Sequence, residues 1–216
     1  MSTAAEHRHA VAPAPADTPR GAATRAALLR AARAEFVAHG YGAAATERIV
    51  AQARVTRGAL YHHFSDKADV LRAVVIDIAG EIAAAITARA ARAGNPWQAL
   101  EQACLAFLES ALKNDVRQIY LLDGPAVLGW QAWRDIDFAA PGGLLRRAVH
   151  ACLEASPNGA ASLSGSAFAT LLGGAMHAAA FAIAANPAHM VQRAGYERAL
   201  LELLRSLKFR AEHGGV

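Results

Sequence analysis

The chain has 216 residues, 54% of them hydrophobic but only 6% aromatic, and a net charge of +4. That composition allows a sizeable alanine-rich core and excludes a polar, unfolded chain. Two cysteines are too few for a disulfide framework or a cysteine-based zinc site, and the start lacks an apolar leader segment, so a cytoplasmic protein without metal or other cofactor is expected.

Residues 1–20 mix Ala, Pro, His and Thr without periodicity and are expected to form a disordered arm, with His7 and His9 solvated rather than metal-bound. The charge is concentrated just beyond it. Residues 20–72 hold nine Lys/Arg against four acids, while residues 73–216 hold twelve of each sign. A positive field confined to one segment suits a polyanion-binding head.

Thr24 to His39 is predicted as the first helix, with Leu28, Ala32 and Phe36 at i, i+4 and i+8 and Gly40 ending it. Two short helices joined by a tight turn follow. Ile49, Val50 and Ala53 share a face of the first, Val55 lies in the turn, and Leu60 and Phe64 close a small core from the second. Thr56 is placed to cap that second helix. Thr56, Arg57, Gly58, Ala59, Tyr61, His62 and Lys67 are left outside the core. Small, basic and aromatic groups of this kind suit a phosphate backbone and a groove floor.

The run Ile49-Val50, Ala53-Arg54-Val55-Thr56 and Leu60-Tyr61-His62-His63-Phe64 followed by Lys67, with Phe36-x-x-x-Gly40-Tyr41 upstream, resembles the helix-turn-helix of the TetR/AcrR family of bacterial transcriptional regulators. There are two departures. Arg54 stands where the family's turn carries Gly, which costs roughly 1–2 kcal/mol if the position is left-handed. Ala44-Ala45 then Thr46 stand where Thr-Ser is common. The resemblance implies double-stranded DNA as partner. It implies contacts from Thr46, Arg48, Arg54, Thr56, Arg57, Gly58, Ala59, Tyr61, His62 and Lys67, with Tyr61 and Lys67 on the backbone and Arg57 and Ala59 near base edges.

Beyond the head, a long helix from Ser65 or Asp66 to about Ala93 carries Val70, Val74, Ile78, Ile82 and Ile86 along one side, and Gly94-Asn95-Pro96 breaks it. Helices are predicted over Trp97–Lys113, Asp115–Leu122, Ala126–Phe138 and Leu144–Ala155. Turns are expected at Asp123-Gly124-Pro125, at Pro141-Gly142-Gly143 and at Ser156-Pro157-Asn158-Gly159. No charged residue lies between Glu154 and Arg193, and Ser166–Ala185 is nearly all small or apolar. About 20 such residues suffice to cross a membrane. Ala and Gly dominate here, however, Thr170 and His177 interrupt, and no aromatic belt flanks the run, so a helix-packing segment is expected and no membrane partner.

The expected fold is all-α with nine to ten helices: a three-helix head over 21–68, a larger ligand-binding and dimerisation domain over 69–210, and a tail over 211–216. Phe107, Tyr120, Trp130, Trp133, Met176 and His177 are candidate pocket residues. Gly173, Gly174, Phe181, Leu200, Leu204 and Leu207 are candidates for the seam that the resemblance puts in the last two helices. Asp115, Asp123, Asp135 and Asp137 match no acid/base or metal spacing and are expected as caps or surface pairs, so no enzyme is read. The function expected is a homodimeric repressor released from a palindromic operator by a small molecule. The alternatives are a regulator controlled by a protein partner or acting as activator and, more remotely, a helical enzyme or membrane-associated protein.

Overall fold

The computed structural model describes residues 18–159, 164–185 and 189–214. His7 and His9, most of the arm expected over 1–20, and the last two residues of the tail lie outside them. Among the described residues there are ten α-helices, one π-helical segment and no strand.

The head comprises α1 (Pro19–Ala43), α2 (Thr46–Ala53) and α3 (Arg57–His63). α1 starts five residues before the expected Thr24. Thr18 accepts a hydrogen bond from Gly21 N–H at 3.2 Å, and Pro19 occupies the first turn, where its missing N–H costs nothing. Regular helix breaks at Gly40, whose φ of +67° favours a residue without Cβ, and one further turn completes α1. Thr56 caps α3 as expected, accepting from Ala59 N–H at 3.2 Å.

α4 (Lys67–Ala90) is capped by Asp66, which accepts from Asp69 N–H at 2.7 Å, while Asp69 accepts from Ser65 N–H in return. Its 24 residues span about 36 Å. Val70, Leu71 and Val74 enter the head, and Ile78, Ile82 and Ile86 enter the larger domain, so one helix serves both cores.

The remainder is α5 (Pro96–Ser110), a π-helical segment (Val116–Asp123), α6 (Gly124–Leu128), α7 (Trp130–Ala139), α8 (Pro141–Glu154), α9 (Gly165–Ala185) and α10 (His189–His213). Three sequence expectations change. The helix expected over Asp115–Leu122 has π register. Gly124-Pro125, expected as a turn, is the first turn of α6, and Gly129 (φ +82°) separates α6 from α7. Pro141 likewise begins α8 rather than ending the preceding helix, because proline is at home at the first helical position.

α9 is long and apolar enough to cross a membrane by composition, but it buries Ala169, Leu172, Met176, His177, Ala180 and Ile183 against the rest of the domain. Leu200 and Leu204, expected at a subunit seam, are buried inside their own subunit, and Leu207 and Phe181 are half-buried against the same core. α10 faces that core with those leucines because the subunit closes over its own apolar surface first. Cys104 and Cys152 are buried free thiols, and burial pushes each up to about 12, which leaves them unreactive.

Two ion-pair clusters hold the head in place. Buried Glu35 of α1 takes Arg48 Nε at 2.7 Å and Ala45 N–H at 3.0 Å. The Arg48 hydrogen bond, helped by that N–H, holds its carboxyl below the usual range. A group lowered in this way stabilises the fold above its unfolded value of about 4.5, and the contribution is lost as pH falls through the lower folded value. Glu35→Gln is therefore expected to cost about 1–3 kcal/mol at pH 7. The deficit should shrink as pH falls below 4.5, as read by urea unfolding at pH 7 and pH 3.5. An equal deficit at both pH values would show that the charge plays no part.

Candidate nucleic-acid interface and adjoining cavity

The start of α3 is open to solvent. Thr56, Arg57, Gly58, Tyr61 and His62 are exposed, and Ala59 is half-buried behind them. A Cβ built on Gly58 would meet only the Thr56 hydroxyl at 3.8 Å, so a flat surface can approach closely. The Arg57 guanidinium lies 5.6 Å from the Tyr61 ring centre and 3.4 Å from Glu47. Both charges of that pair are largely exposed and the attraction is screened, which leaves Arg57 able to turn to a stronger anion.

Other residues expected at this surface are engaged elsewhere. Arg48 bonds to Glu35 and to the Ala43 carbonyl at 2.7 Å. The Lys67 ammonium donates to the Tyr41 and Ala44 carbonyls at 2.8 and 3.0 Å and sits 4.4 Å from the Tyr41 ring centre. These two cations close the end of α1 onto α2 and α4. Thr46 is half-buried in the first turn of α2, with its hydroxyl 3.3 Å from Glu47. Arg54 is exposed and left-handed (φ 56°, ψ 41°), so the turn keeps the shape a glycine would give it. At the other end of α3, Arg25 lies 5.3 Å from the Phe64 ring centre and His63 packs edge-on to His62.

At the far end of α4 a cavity, open to solvent at its mouth, lies between α5, α7, α8 and α9. Phe107, Met176 and His177 line it. Tyr120 and Trp133 are buried behind it, while Trp130 is 51% exposed and stacks on the outer face of Trp133. Gly173 and Gly174, expected at the seam, both border the cavity.

Its buried polar group is Asp137, which is neither a cap nor a surface pair. Asp137 Oδ1 accepts from the Tyr120 hydroxyl at 2.6 Å and lies 3.1 Å from His177 Nε2. Burial, reinforced by the adjacent Asp137, pushes the Tyr120 phenol well above its ordinary value, so it stays a donor. A Cβ on Gly142 would come within 2.5 Å of Asp137 Oδ2, so the turn into α8 needs glycine there.

The π-helical segment joins the two regions. Tyr120 within it holds Asp137, and its carbonyl accepts from Trp133 Nε1 at 2.7 Å. At its ends, Asp115 receives the Arg33 guanidinium, which also pairs with Glu81 of α4, and Asp123 receives Tyr41 N–H at 3.0 Å. Burial works to raise the Asp115 carboxyl, but Arg33 and the Val116 N–H hold it below the usual range.

A family model described as "Bacterial regulatory proteins, tetR family" matches residues 28–74, and one described as "Tetracyclin repressor-like, C-terminal domain" matches 97–207. The chain belongs to the TetR family of transcriptional regulators. The crystal structure of a TetR-family regulator from Pectobacterium atrosepticum is 33% identical and superposes with a TM-score of 0.73, over 87% of this chain and 95% of that one. The transposon Tn10 TetC protein of Escherichia coli is 34% identical over 107 residues, 50% of this chain and 54% of that protein. The HTH-type transcriptional repressor BepR of Brucella suis biovar 1 (strain 1330) is 37% identical over 100 residues, 45% of this chain and 47% of that protein. The chain thus spans about half the length of the curated relatives it matches.

Arg54 is the informative position for the head. Arg54→Gly relieves the left-handed strain but frees the unfolded chain, and a net gain of about 0.5–1 kcal/mol is expected in urea unfolding. If Arg54 meets a phosphate, the same variant lowers the steepness of the salt dependence of DNA binding by about two for a dimer. An unchanged slope would assign Arg54 to the turn alone.

Proposed function

We propose that this regulator is a homodimeric repressor, acting in the cytoplasm, that leaves a palindromic operator when a small molecule enters the cavity of each subunit. The observation that carries the DNA-binding half is the exposed start of α3, where Arg57, Gly58, Tyr61 and His62 stand clear of a head whose Arg48 and Lys67 are internally bonded. Arg57 and Ala59 then reach base edges. Thr56, Tyr61, His62 and Arg54 position the head on the backbone. Arg48, Lys67 and Thr46 act by shaping the head, and Lys67 keeps one N–H for a phosphate.

The seam is assigned to the outward faces of α9 and α10. Leu171 is 73% exposed, Leu203, Tyr196 and Phe209 are also exposed, and Gly174, Ala175 and Ala178 form a smooth uncharged strip beside Leu171. An apolar surface of this extent suits a partner subunit. Gly174 belongs to it, with nothing within 4 Å of a Cβ built there, whereas Gly173 points toward Leu145.

Selection of bound fragments from a random duplex library tests the reading, and a palindrome with half-sites about one helical turn apart is expected. With about two to four phosphates neutralised per subunit, log K should fall with log salt at a slope of about −4 to −7 for the dimer. A slope shallower than about −2, or selected sites without two-fold symmetry, would overturn it.

The π-helical segment supplies a second route from cavity to head, beside α4 itself. Tyr120→Phe removes the hydrogen bond to Asp137 and keeps the ring, so operator affinity should change about threefold to tenfold. Equal affinity for Tyr120→Phe and wild type, with unchanged hydrogen exchange in α1, would exclude this route.

A further inference from the structure

The cavity lining combines apolar side chains with polar groups of two kinds, an acid–histidine pair and two guanidinium groups. At the floor, Asp137 is acceptor-only and accepts from Tyr120, so His177 Nε2, 3.1 Å from the same oxygen, carries its hydrogen toward Asp137. In the neutral ring Nδ1 is then an acceptor. It has no hydrogen-bond partner among the described residues, and the side chain is nine-tenths buried where it lines the cavity. Trp133 and Phe107 pack edge-on to the ring at 5.0 and 5.4 Å and fix its plane.

Arg134, one turn before Asp137 on α7, and Arg146, one turn beyond Gly142 on α8, also line the cavity and are less buried than Asp137 and His177. Arg134 lies 5.7 Å from the Trp130 ring centre and Arg146 lies 4.5 Å from that of Phe138. Neither guanidinium has a carboxylate partner among the described residues. Ile86, Phe107, Leu145 and Met176 supply apolar lining beside these groups. Two unpaired guanidinium groups beside an apolar lining match a carboxylate, which they can bind in forked geometry.

We propose that the cavity takes an amphipathic organic carboxylate. Its apolar body, a single ring or short chain, lies between Phe107, Leu145 and Met176. Its carboxylate meets Arg134 and Arg146, and its inner end donates a hydrogen bond to His177 Nδ1. The inference rests on the reading that a small molecule enters this cavity, and it specifies that molecule's class.

Calorimetry on the full chain with 4-hydroxybenzoate, phenol, benzoate and 4-hydroxybenzylamine as probes tests it. 4-Hydroxybenzoate should bind about tenfold or more tightly than phenol or the cationic amine, and several-fold more tightly than benzoate. The double variant Arg134→Gln with Arg146→Gln should lose about tenfold for 4-hydroxybenzoate and under twofold for phenol, whose retained binding shows that the cavity is intact. In His177→Phe the hydroxylated and plain benzoates should bind alike. Phenol or the amine equalling the carboxylate, an undiminished affinity in the double variant, or no binding of the carboxylate at millimolar concentration would each overturn the proposal. Operator affinity is measured separately with and without 4-hydroxybenzoate. Carboxylate binding that leaves operator affinity unchanged would support the site and overturn its role in repression.

Discussion

The larger domain is arranged around one carboxylate removed from water. A buried acid is costly unless its oxygens are hydrogen-bonded, and the neighbours of Asp137 come from different elements. Tyr120 comes from the π-helical segment, His177 from α9, and the close backbone of Gly142 from the start of α8. Each partner is held in turn. Trp133 takes the Tyr120 carbonyl and packs against the His177 ring, and it lies one turn from Asp137 on α7. Moving any of these elements leaves a polar group unpaired out of water. The cluster therefore tolerates few arrangements.

The head follows the same economy with cations. Nine basic residues between 20 and 72 suggest a surface crowded with phosphate contacts. The structure divides them by function. Arg33, Arg48 and Lys67 bond to carboxylates and carbonyls that fix α1 against α2, α4 and the π-helical segment, while Arg54 and Arg57 remain outward. A recognition helix of seven residues cannot hold its own orientation. It needs the internal bonds of the first group before the second can meet DNA in a defined register.

The head was legible in the sequence because its signals are local. Apolar spacing, a Thr cap three residues before Ala59, and a tyrosine and phenylalanine three apart need no tertiary knowledge. What failed was long-range. Asp137 sits among polar residues of an amphipathic helix, and its burial depends on Tyr120 and His177, 17 and 40 residues away. The π register over Val116–Asp123 carries no composition of its own and is set by what grips its ends. Leu200 and Leu204 show the same limit, because an apolar stripe on a final helix does not say whether its own subunit or a second copy covers it. Pro125 and Pro141 misled for a nearer reason: each reads equally as the end of one helix or the first turn of the next.

α9 explains why so uncharged a helix is useful. One side supplies Met176 and His177 to the cavity and Ala180 and Ile183 to the core. The other presents Leu171, Gly174, Ala175 and Ala178 outward. Gly173 and Gly174 mark the division, the first near Leu145 and the second facing open space. A charged side chain on either face would be left unpaired, in the cavity wall or in a subunit seam, at a cost of several kcal/mol. Small residues also make the helix thin. On the proposed reading, cavity and seam are then separated by little more than one backbone, so a ligand that displaces His177 acts on the contact between subunits as directly as on the π-helical segment. Two routes to the heads start from one histidine, one along the chain through Tyr120 and one across the seam. Their separation lies in the outward residues of α9, which touch the second route and not the first.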